Sequence, residues 1–260
     1  MLAEMDWPVT VAGELAEEIR HAVLNQPRST QTVIGPSELG MPCTRALLHK
    51  LNRDALPAPT PGAYPRLPWL PFIGTATHSM LAEIFANSIH QFGTDGPRYL
   101  IEHRVMVGTI GALEVWGNLD LFDQFAGCVI DWKVVGPTTL KRVKAARHPG
   151  NQYRSQAHGY GRGLVNAGYT VHNVMIVFLP RNGEFSERYV WAEPWDESVA
   201  LEALSRCKGL LDLISAIGIE AALSLYPPCK IPYCPWCGVT FAPRSYSDVK
   251  GSADNGFFRH

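Results

Sequence analysis

Three of the six cysteines crowd into the short stretch PPCKIPYCPWC, as Cys229, Cys234 and Cys237. In an intracellular protein, clustered cysteines bind metal more often than they form disulfides. Three thiolates on a proline-rich turn require a fourth ligand to close a tetrahedral zinc site or an iron–sulfur cubane. This segment is therefore predicted to be held by a metal centre whose fourth ligand lies elsewhere. Cys128 and Cys207 fall among apolar positions and are interpreted as small buried side chains.

The composition fits a soluble protein that acts inside the cell. The 260 residues are 46% hydrophobic, which is enough for one substantial core. No apolar run is long enough to span a bilayer, and the first residues lack the pattern of a signal peptide, so we expect no membrane partner. The net charge is −1, so any contact with nucleic acid needs a local basic patch.

The residue pattern predicts a mixed α/β sheet flanked by helices. IEHRVMV, ALEVWGNLDLFDQF and CVIDWKVV indicate a three-stranded antiparallel meander, and VHNVMIVFLP and SERYVWAEP indicate two later strands. Helices are predicted at 11–25, 37–51, 74–92, 151–167 and 196–224, with Cys43 and Arg45 inside the second and Thr75 or Thr77 capping the third. The six prolines of 52–72 predict a loop.

This pattern divides the chain into four expected parts. They are an N-terminal helical segment with Cys43 and the proline-rich loop (1–73), a catalytic core (74–195), a C-terminal helix with the cysteine cluster (196–240) and a flexible tail (241–260).

The central strands carry charged residues that an apolar strand does not need for folding. Asp131 and Lys133 are two positions apart, so they project from the same face. Asp120 closes the preceding strand, and the hairpin brings it beside Asp131. Two convergent carboxylates suit Mg²⁺ or Mn²⁺, and a nearby lysine can stabilise developing negative charge. A structural salt bridge between Asp131 and Lys133 explains the spacing equally well.

Two helices carry further candidates. His78 shares a helical face with apolar residues and could supply a nitrogen ligand, although a lone helical histidine is more often simply packed. Gln156 and Tyr160 are four positions apart in NQYRSQAHGYGRGL and share a face, which is also compatible with an ordinary half-exposed helix.

Taken in order, GTATHSMLAE, GNLD, DWK and QAHGY resemble the motif series of the PD-(D/E)XK nuclease superfamily, in its RecB-like exonuclease branch. That branch includes CRISPR-associated and phage exonucleases. The resemblance implies a restriction-endonuclease-like core. It implies catalytic roles for Asp120, Asp131, Lys133, Gln156 and Tyr160, and metal ligation by His78, Asp120, Asp131 and the main-chain carbonyl of Trp132.

The implied function is a metal-dependent exonuclease that hydrolyses linear DNA, single-stranded or tailed, in recombination, repair or phage DNA metabolism. The implied location is the cytoplasm of a bacterial or phage-infected cell. Two alternatives stay open: a structure-specific endonuclease on the same core, and a catalytically silent DNA-binding scaffold. A zinc-ribbon module would explain the cysteines but not the strand with Asp131 and Lys133. No G-x-x-x-x-G-K-[ST] motif occurs, so any unwinding requires a helicase or recombination partner.

The resemblance also implies the fourth cysteine ligand. Several RecB-like nucleases hold a 4Fe–4S cluster with one N-terminal and three C-terminal cysteines, which here implies Cys43, Cys229, Cys234 and Cys237. The wide gap precedes the close pair in this chain, unlike the CRISPR-associated relatives, so Zn²⁺ stays an alternative occupant.

Basic residues directly follow the central strand in LKRVKAARH. Lys141, Arg142, Lys144 and Arg147 are candidate phosphate ligands, although a solvated basic loop explains them equally well. Arg45, close to Cys43, is a further candidate for holding a backbone phosphate.

Overall fold

The computed structural model describes residues 7–24, 34–52, 68–88, 91–92, 96–231, 234 and 236–237. The expected flexible tail at 241–260 and most of the proline-rich segment lie outside these ranges. None of the helices in the described ranges combines the length and apolarity needed to cross a membrane.

Eight α-helices, one short 3₁₀-helix (Phe185–Glu187) and seven strands are formed by these described residues. The helices are α1 (Trp7–Leu24), α2 (Pro36–Leu39), α3 (Thr44–Leu51), α4 (Trp69–Ala86), α5 (Pro137–Ala146), α6 (Asn151–Asn166), α7 (Glu197–Ile217) and α8 (Ile219–Ser224). The strands are β1 (Gln91–Phe92), β2 (Gly96–Pro97), β3 (Tyr99–Ile110), β4 (Leu113–Asp123), β5 (Cys128–Val135), β6 (Asn173–Pro180) and β7 (Tyr189–Pro194).

Strands β3 to β7 form one mixed sheet in chain order, and β1 pairs only with β2. Strands β3, β4 and β5 are antiparallel neighbours, β6 runs parallel to β5, and β7 is antiparallel to β6. The predicted meander and the predicted mixed sheet flanked by helices are therefore confirmed. Strand β5 is the middle strand, which explains its nearly continuous apolar sequence, since a strand with neighbours on both sides and helices over the sheet is buried on both faces.

Helix α6 lies very close to its neighbours because glycines stand where it meets β3 and Trp195. A Cβ at Gly163 would lie 2.7 Å from Val105 Cγ2, and one at Gly161 would lie 2.4 Å from Trp195 Cδ1. Glycine inside a helix costs about 1 kcal/mol relative to alanine, so these two positions favour close packing over helix propensity. The buried core that results joins β3 to β6 with α3, α6 and α7.

The start of α4 was predicted wrongly. The helix begins at Trp69, inside the segment expected to be a loop, and Pro68 precedes it instead of a threonine cap. Pro71 falls in the first turn, where a missing N–H removes no helical hydrogen bond. Thr77 is an internal residue of the helix, and its hydroxyl donates to the carbonyl of Ile73 at 3.0 Å.

The helix predicted across 37–51 is interrupted. Helix α2 ends at Leu39 and α3 begins at Thr44, so Cys43 lies outside both helices. Its Sγ accepts a hydrogen bond from the N–H of Ala46 at 3.4 Å and so caps α3. Pro42 and Gly40 explain the break, because proline disfavours helical backbone in the residue before it and glycine commonly ends helices.

The helix predicted across 196–224 is likewise two helices. Gly218 has a φ of +79°, which ends α7 at Ile217 and turns the chain into α8. Glycine adopts this left-handed conformation without steric penalty, so this residue redirects the chain toward the cysteine segment.

A fully buried histidine joins α6 to the far edge of the sheet. His158 Nε2 lies 2.6 Å from Glu193 Oε1 on β7, and its Nδ1 accepts a hydrogen bond from the N–H of Asp196 at 3.0 Å. The second contact requires Nδ1 to be unprotonated, so the ring is neutral. Burial lowers the pKa of His158 and outweighs the opposing effect of Glu193.

The neutral His158 predicts a stability that decreases in acid. Above the unfolded pKa of about 6.5 its contribution is complete, and it is lost as pH falls because the unfolded chain takes up the proton first. The unfolding free energy should therefore fall by up to about 1.4 kcal/mol per pH unit below about pH 6.5, and His158→Gln should flatten this slope. Chemical denaturation across pH 5 to 8 measures it, with the exposed His172→Gln as control. Equal slopes in the wild-type protein and His158→Gln would contradict the prediction.

Candidate functional site

Strands β4 and β5 separate at the position of the predicted carboxylates. Their ladder pairs only three positions and ends at Leu121 opposite Ile130, so Asp120 and Asp131 are the next residues beyond it. Asp120 Oδ2 accepts a hydrogen bond from the N–H of Trp132 at 2.8 Å. The carboxylate thus takes the place of a ladder partner and keeps the two strands together where the sheet forks.

His78 reaches the same carboxylate from α4. Its Nδ1 lies 3.0 Å from Asp120 Oδ1, while Oδ2 is used by β5. Burial lowers the pKa of His78, but the hydrogen bond and negative charge of Asp120 outweigh it, so the net pKa is raised. The structure therefore brings together His78 and Asp120, two of the residues named by the motif series.

Asp131 and Lys133 form an ion pair that water hardly reaches. Lys133 Nζ lies 2.6 Å from Asp131 Oδ2, and only 1% of Asp131 is exposed. Asp131 Oδ1 is buried without a hydrogen-bond partner in the described part of the chain. Burial raises the pKa of Asp131 to about 6, with Lys133 opposing and Asp120 adding to the shift. Lys133 also lies 5.1 Å from the centre of the Tyr153 ring.

The structure adds Glu102, which the motif series did not identify. One ligand atom each of His78, Glu102 and Asp120 lies within 4.8 Å of the others, a spacing that can hold a metal ion. Glu102 is the only acidic residue in β3. The sequence could identify it as a site residue only if the register of the β3–β4 hairpin were already known. Its φ of +47° is left-handed, which costs a non-glycine residue roughly 1–2 kcal/mol.

Gln156 and Tyr160 lie where the predicted helix puts them, on the buried face of α6. Gln156 Nε2 donates to the Tyr160 hydroxyl at 3.4 Å, and Gln156 Oε1 is buried without a partner among the described residues. The Tyr160 ring packs beside Gly117, where an added Cβ would come within 3.1 Å of it. Their catalytic roles stay predictions.

A pocket of about 440 Å³ opens beside this group. His78 and Lys133 line it together with Phe72, Tyr153 and β5 residues that include Trp132. A slightly larger pocket of about 490 Å³ lies elsewhere, among the α2–α3 turn, α6 and α7, and contains none of the predicted site residues. We take the smaller pocket as the candidate substrate site because His78 and Lys133 line it.

The four cysteines named by the resemblance meet at one point. One sulfur atom each of Cys43, Cys229, Cys234 and Cys237 lies within 4.8 Å of the others. Cys43 Sγ is 3.5 Å from Cys237 Sγ and 3.6 Å from Cys234 Sγ. A Zn–S bond of about 2.3 Å with tetrahedral angles requires sulfur–sulfur separations of roughly 3.8 Å, so this spacing suits a single tetrahedral ion.

Side chains of α3 dock the cysteine segment. Arg45 Nη1 donates to the carbonyls of Leu223 and Tyr226, at 2.8 and 3.0 Å, at the end of α8. The ring of His49 stacks on that of Trp236 with centroids 4.6 Å apart. Arg45 therefore holds two protein carbonyls, and its contact with DNA stays a prediction.

The basic residues after β5 lie on a helix and not on a loop. Lys141, Arg142 and Lys144 are exposed on α5, and exposed Arg147 is its left-handed C-cap. Leu140 and Val143 hold the opposite side of the helix in the core. None of the four cations forms a salt bridge within the described ranges.

Comparisons with known proteins give a structural likeness but no family. No family model and no curated protein matches the chain. A crystal structure of an alkaline exonuclease (LHK-Exo) from Laribacter hongkongensis aligns with 81% of this chain and 100% of its own, with a TM-score of 0.47 and 11% sequence identity. A likeness at this level carries no inference about the function of this chain.

The double contact of Asp120 predicts how its removal changes His78. In Asp120→Asn the side chain can still meet the Trp132 N–H, but the negative charge beside the imidazole is lost. Burial then dominates, and the pKa of His78 should fall from its raised position to below its ordinary value. Histidine ring signals followed by NMR titration of metal-free protein test this, with the exposed Asp212→Asn as control. An unchanged His78 titration in Asp120→Asn would show that the contact is absent in solution.

Proposed function

We propose that this chain is a divalent-metal-dependent deoxyribonuclease that hydrolyses phosphodiester bonds from the ends of linear, single-stranded or tailed DNA. One observation carries the proposal: the ion pair of Asp131 and Lys133 is buried beside Asp120 and His78 at the edge of a pocket. A buried charged pair is no more stabilising than apolar residues of the same size, so folding alone does not explain this group.

The proposed ligands are His78, Asp120, Asp131 and the carbonyl of Trp132. Carboxylate and carbonyl oxygens suit Mg²⁺ or Mn²⁺, and Asp131 Oδ1 is a buried acceptor that lacks a protein partner in the described ranges. A divalent ion bound there would activate water and neutralise charge on the scissile phosphate. Lys133, which lines the pocket, would stabilise negative charge that develops on the phosphate oxygens.

The proposed DNA contacts are Lys141, Arg142, Lys144 and Arg147. Helix α5 begins two residues after β5, so its exposed cations follow the proposed catalytic strand directly. Cations without acidic partners can neutralise phosphates, and such contacts give affinity without sequence preference. An endonuclease with the same catalytic group would use the same contacts. The exonuclease and the endonuclease are therefore distinguished by whether cleavage requires a DNA end.

The proposed role of the four cysteines is to hold a metal centre that joins the two ends of the fold. Closing a loop of about 190 residues between Cys43 and Cys229 would stabilise the folded chain by roughly 5 kcal/mol through the entropy of the unfolded state. A 4Fe–4S cluster is what the sequence resemblance implies. The separations of 3.5 and 3.6 Å suit one Zn²⁺ ion, and a cubane would require the sulfurs to move apart.

Asp131→Asn provides the test of the nuclease proposal. Purified wild-type protein should degrade end-labelled linear DNA with Mn²⁺ or Mg²⁺ but not with EDTA, and Asp131→Asn should reduce the rate by at least about a hundredfold, since a charge that stabilises the transition state is lost. Asp212→Asn, on the exposed surface of α7, is the matched control. Cleavage of circular DNA at the same rate would assign an endonuclease. No cleavage by metal-loaded wild-type protein would overturn the proposal and favour a silent DNA-binding scaffold.

Cys234→Ser provides the test of the cysteine centre. Loss of one thiolate should release the metal and lower solubility, because metal binding and folding of this segment are coupled. Elemental analysis and visible absorbance of the purified protein measure the outcome, with Cys207→Ala as a buried cysteine outside the group. One zinc per wild-type chain assigns Zn²⁺, and four irons with charge-transfer absorbance assign the cluster. A soluble Cys234→Ser protein with full metal content would rule out the centre.

A further inference from the structure

Glu102 belongs to a row of carboxylates that crosses three strands. Ile101 pairs with Leu121 and His103 pairs with Leu119, so Glu102 stands opposite Asp120 in the β3–β4 register. Asp131 stands opposite Asp120 on the other side, one position beyond the last β4–β5 pair. Neighbouring strands are about 4.8 Å apart, and like charges directly opposite each other destabilise a sheet.

The carboxylates of this row have different surroundings. Asp131 has Lys133 at 2.6 Å, a full compensating charge. Asp120, Glu102 and His78 form one group, in which one ligand atom of each residue lies within 4.8 Å of the others. This group contains two carboxylates and one imidazole, which is a donor set that a divalent cation can bind.

The backbone of β3 is distorted at Glu102 itself. Glu102 has a φ of +47° in the middle of a strand, and neither flanking register pair is shifted. Glycine would adopt this conformation without strain. The chain nevertheless has a glutamate at this position, where the backbone conformation favours glycine. Strain of this kind persists at functional sites because the surrounding contacts impose it.

We propose that Glu102 is a further protein ligand of the catalytic ion, which it would bind together with the proposed ligands His78 and Asp120 and beside Asp131 and the carbonyl of Trp132. This inference rests on the proposed nuclease function and adds a residue to it. A nitrogen donor favours first-row transition ions over Mg²⁺, which prefers an all-oxygen shell that includes several waters. The site is therefore expected to select Mn²⁺, with Mg²⁺ a weaker occupant.

Direct binding of Mn²⁺ to the purified full-length protein tests the proposal without any assay of cleavage. Electron paramagnetic resonance reports free Mn²⁺, and titration gives the affinity. Glu102→Gln keeps the size of the side chain and should weaken Mn²⁺ binding about tenfold or more, as should Asp120→Asn. Glu114→Gln, an exposed glutamate on β4, is the matched control and should bind as the wild-type protein does.

A second pair of variants tests the strained backbone independently. In metal-free protein, Glu102→Gly should unfold at a higher denaturant concentration than Glu102→Ala, because glycine removes the left-handed strain and alanine does not. This order is the reverse of that usual in a strand, where glycine destabilises relative to alanine. Both variants should lose Mn²⁺ affinity to the same extent as Glu102→Gln.

The outcomes separate this inference from the nuclease proposal. If Glu102→Gln binds Mn²⁺ like the wild-type protein while Asp120→Asn does not, Glu102 is not a ligand and the nuclease proposal stands. If the Glu102→Ala protein is more stable than the Glu102→Gly protein, the left-handed backbone at position 102 is absent in solution. The placement of the Glu102 carboxylate described above is then absent as well. A wild-type protein that binds neither Mn²⁺ nor Mg²⁺ would overturn both proposals.

Discussion

The two oxygens of one carboxylate hold three parts of this fold in place. Asp120 Oδ1 contacts His78 on α4, and Oδ2 accepts the N–H of Trp132 on β5, while the residue itself belongs to β4. The sheet can fork at this point only because a side chain satisfies a backbone donor that the ladder leaves unpaired. The residues of β5 that follow this fork, from Trp132 to Val135, line the candidate pocket together with His78.

The two candidate metal centres differ in how much of their charge balance the protein supplies. Lys133 and His78 already accompany the carboxylates, so this site can form before any ion binds. In the cysteine group, by contrast, burial raises the pKa of Cys43 to about 12, so this thiol is neutral in the absence of a metal. A metal bound by this group would replace the proton of the thiol, so metal uptake would release protons and would be coupled to docking of the segment with Cys229, Cys234 and Cys237.

The strands and most of the candidate site follow from local sequence, because alternation and residue type are visible without knowledge of the partner strand. Asp131 and Lys133 project together for that reason alone. Glu102 was missed because its role depends on which residue stands opposite it and on a backbone angle. The predicted helices at 37–51 and 196–224 were wrong at Gly40 and Gly218, where each helix is interrupted. A single glycine within an otherwise helical pattern can be either a packing residue or the end of a helix.

The fork has a consequence for the evolutionary history of such a chain. A mutation that abolished catalysis would still leave the Trp132 N–H in need of an acceptor, since a buried unpaired donor costs about 1–3 kcal/mol. Under the proposed function, Asp120 would be subject to two independent selective constraints, one from catalysis and one from the packing of the sheet. Descendants that lost the reaction could discard Lys133 or Glu102 freely, but they would tend to keep an oxygen-bearing side chain at position 120. The loss of function and the loss of the motif would then occur at different times.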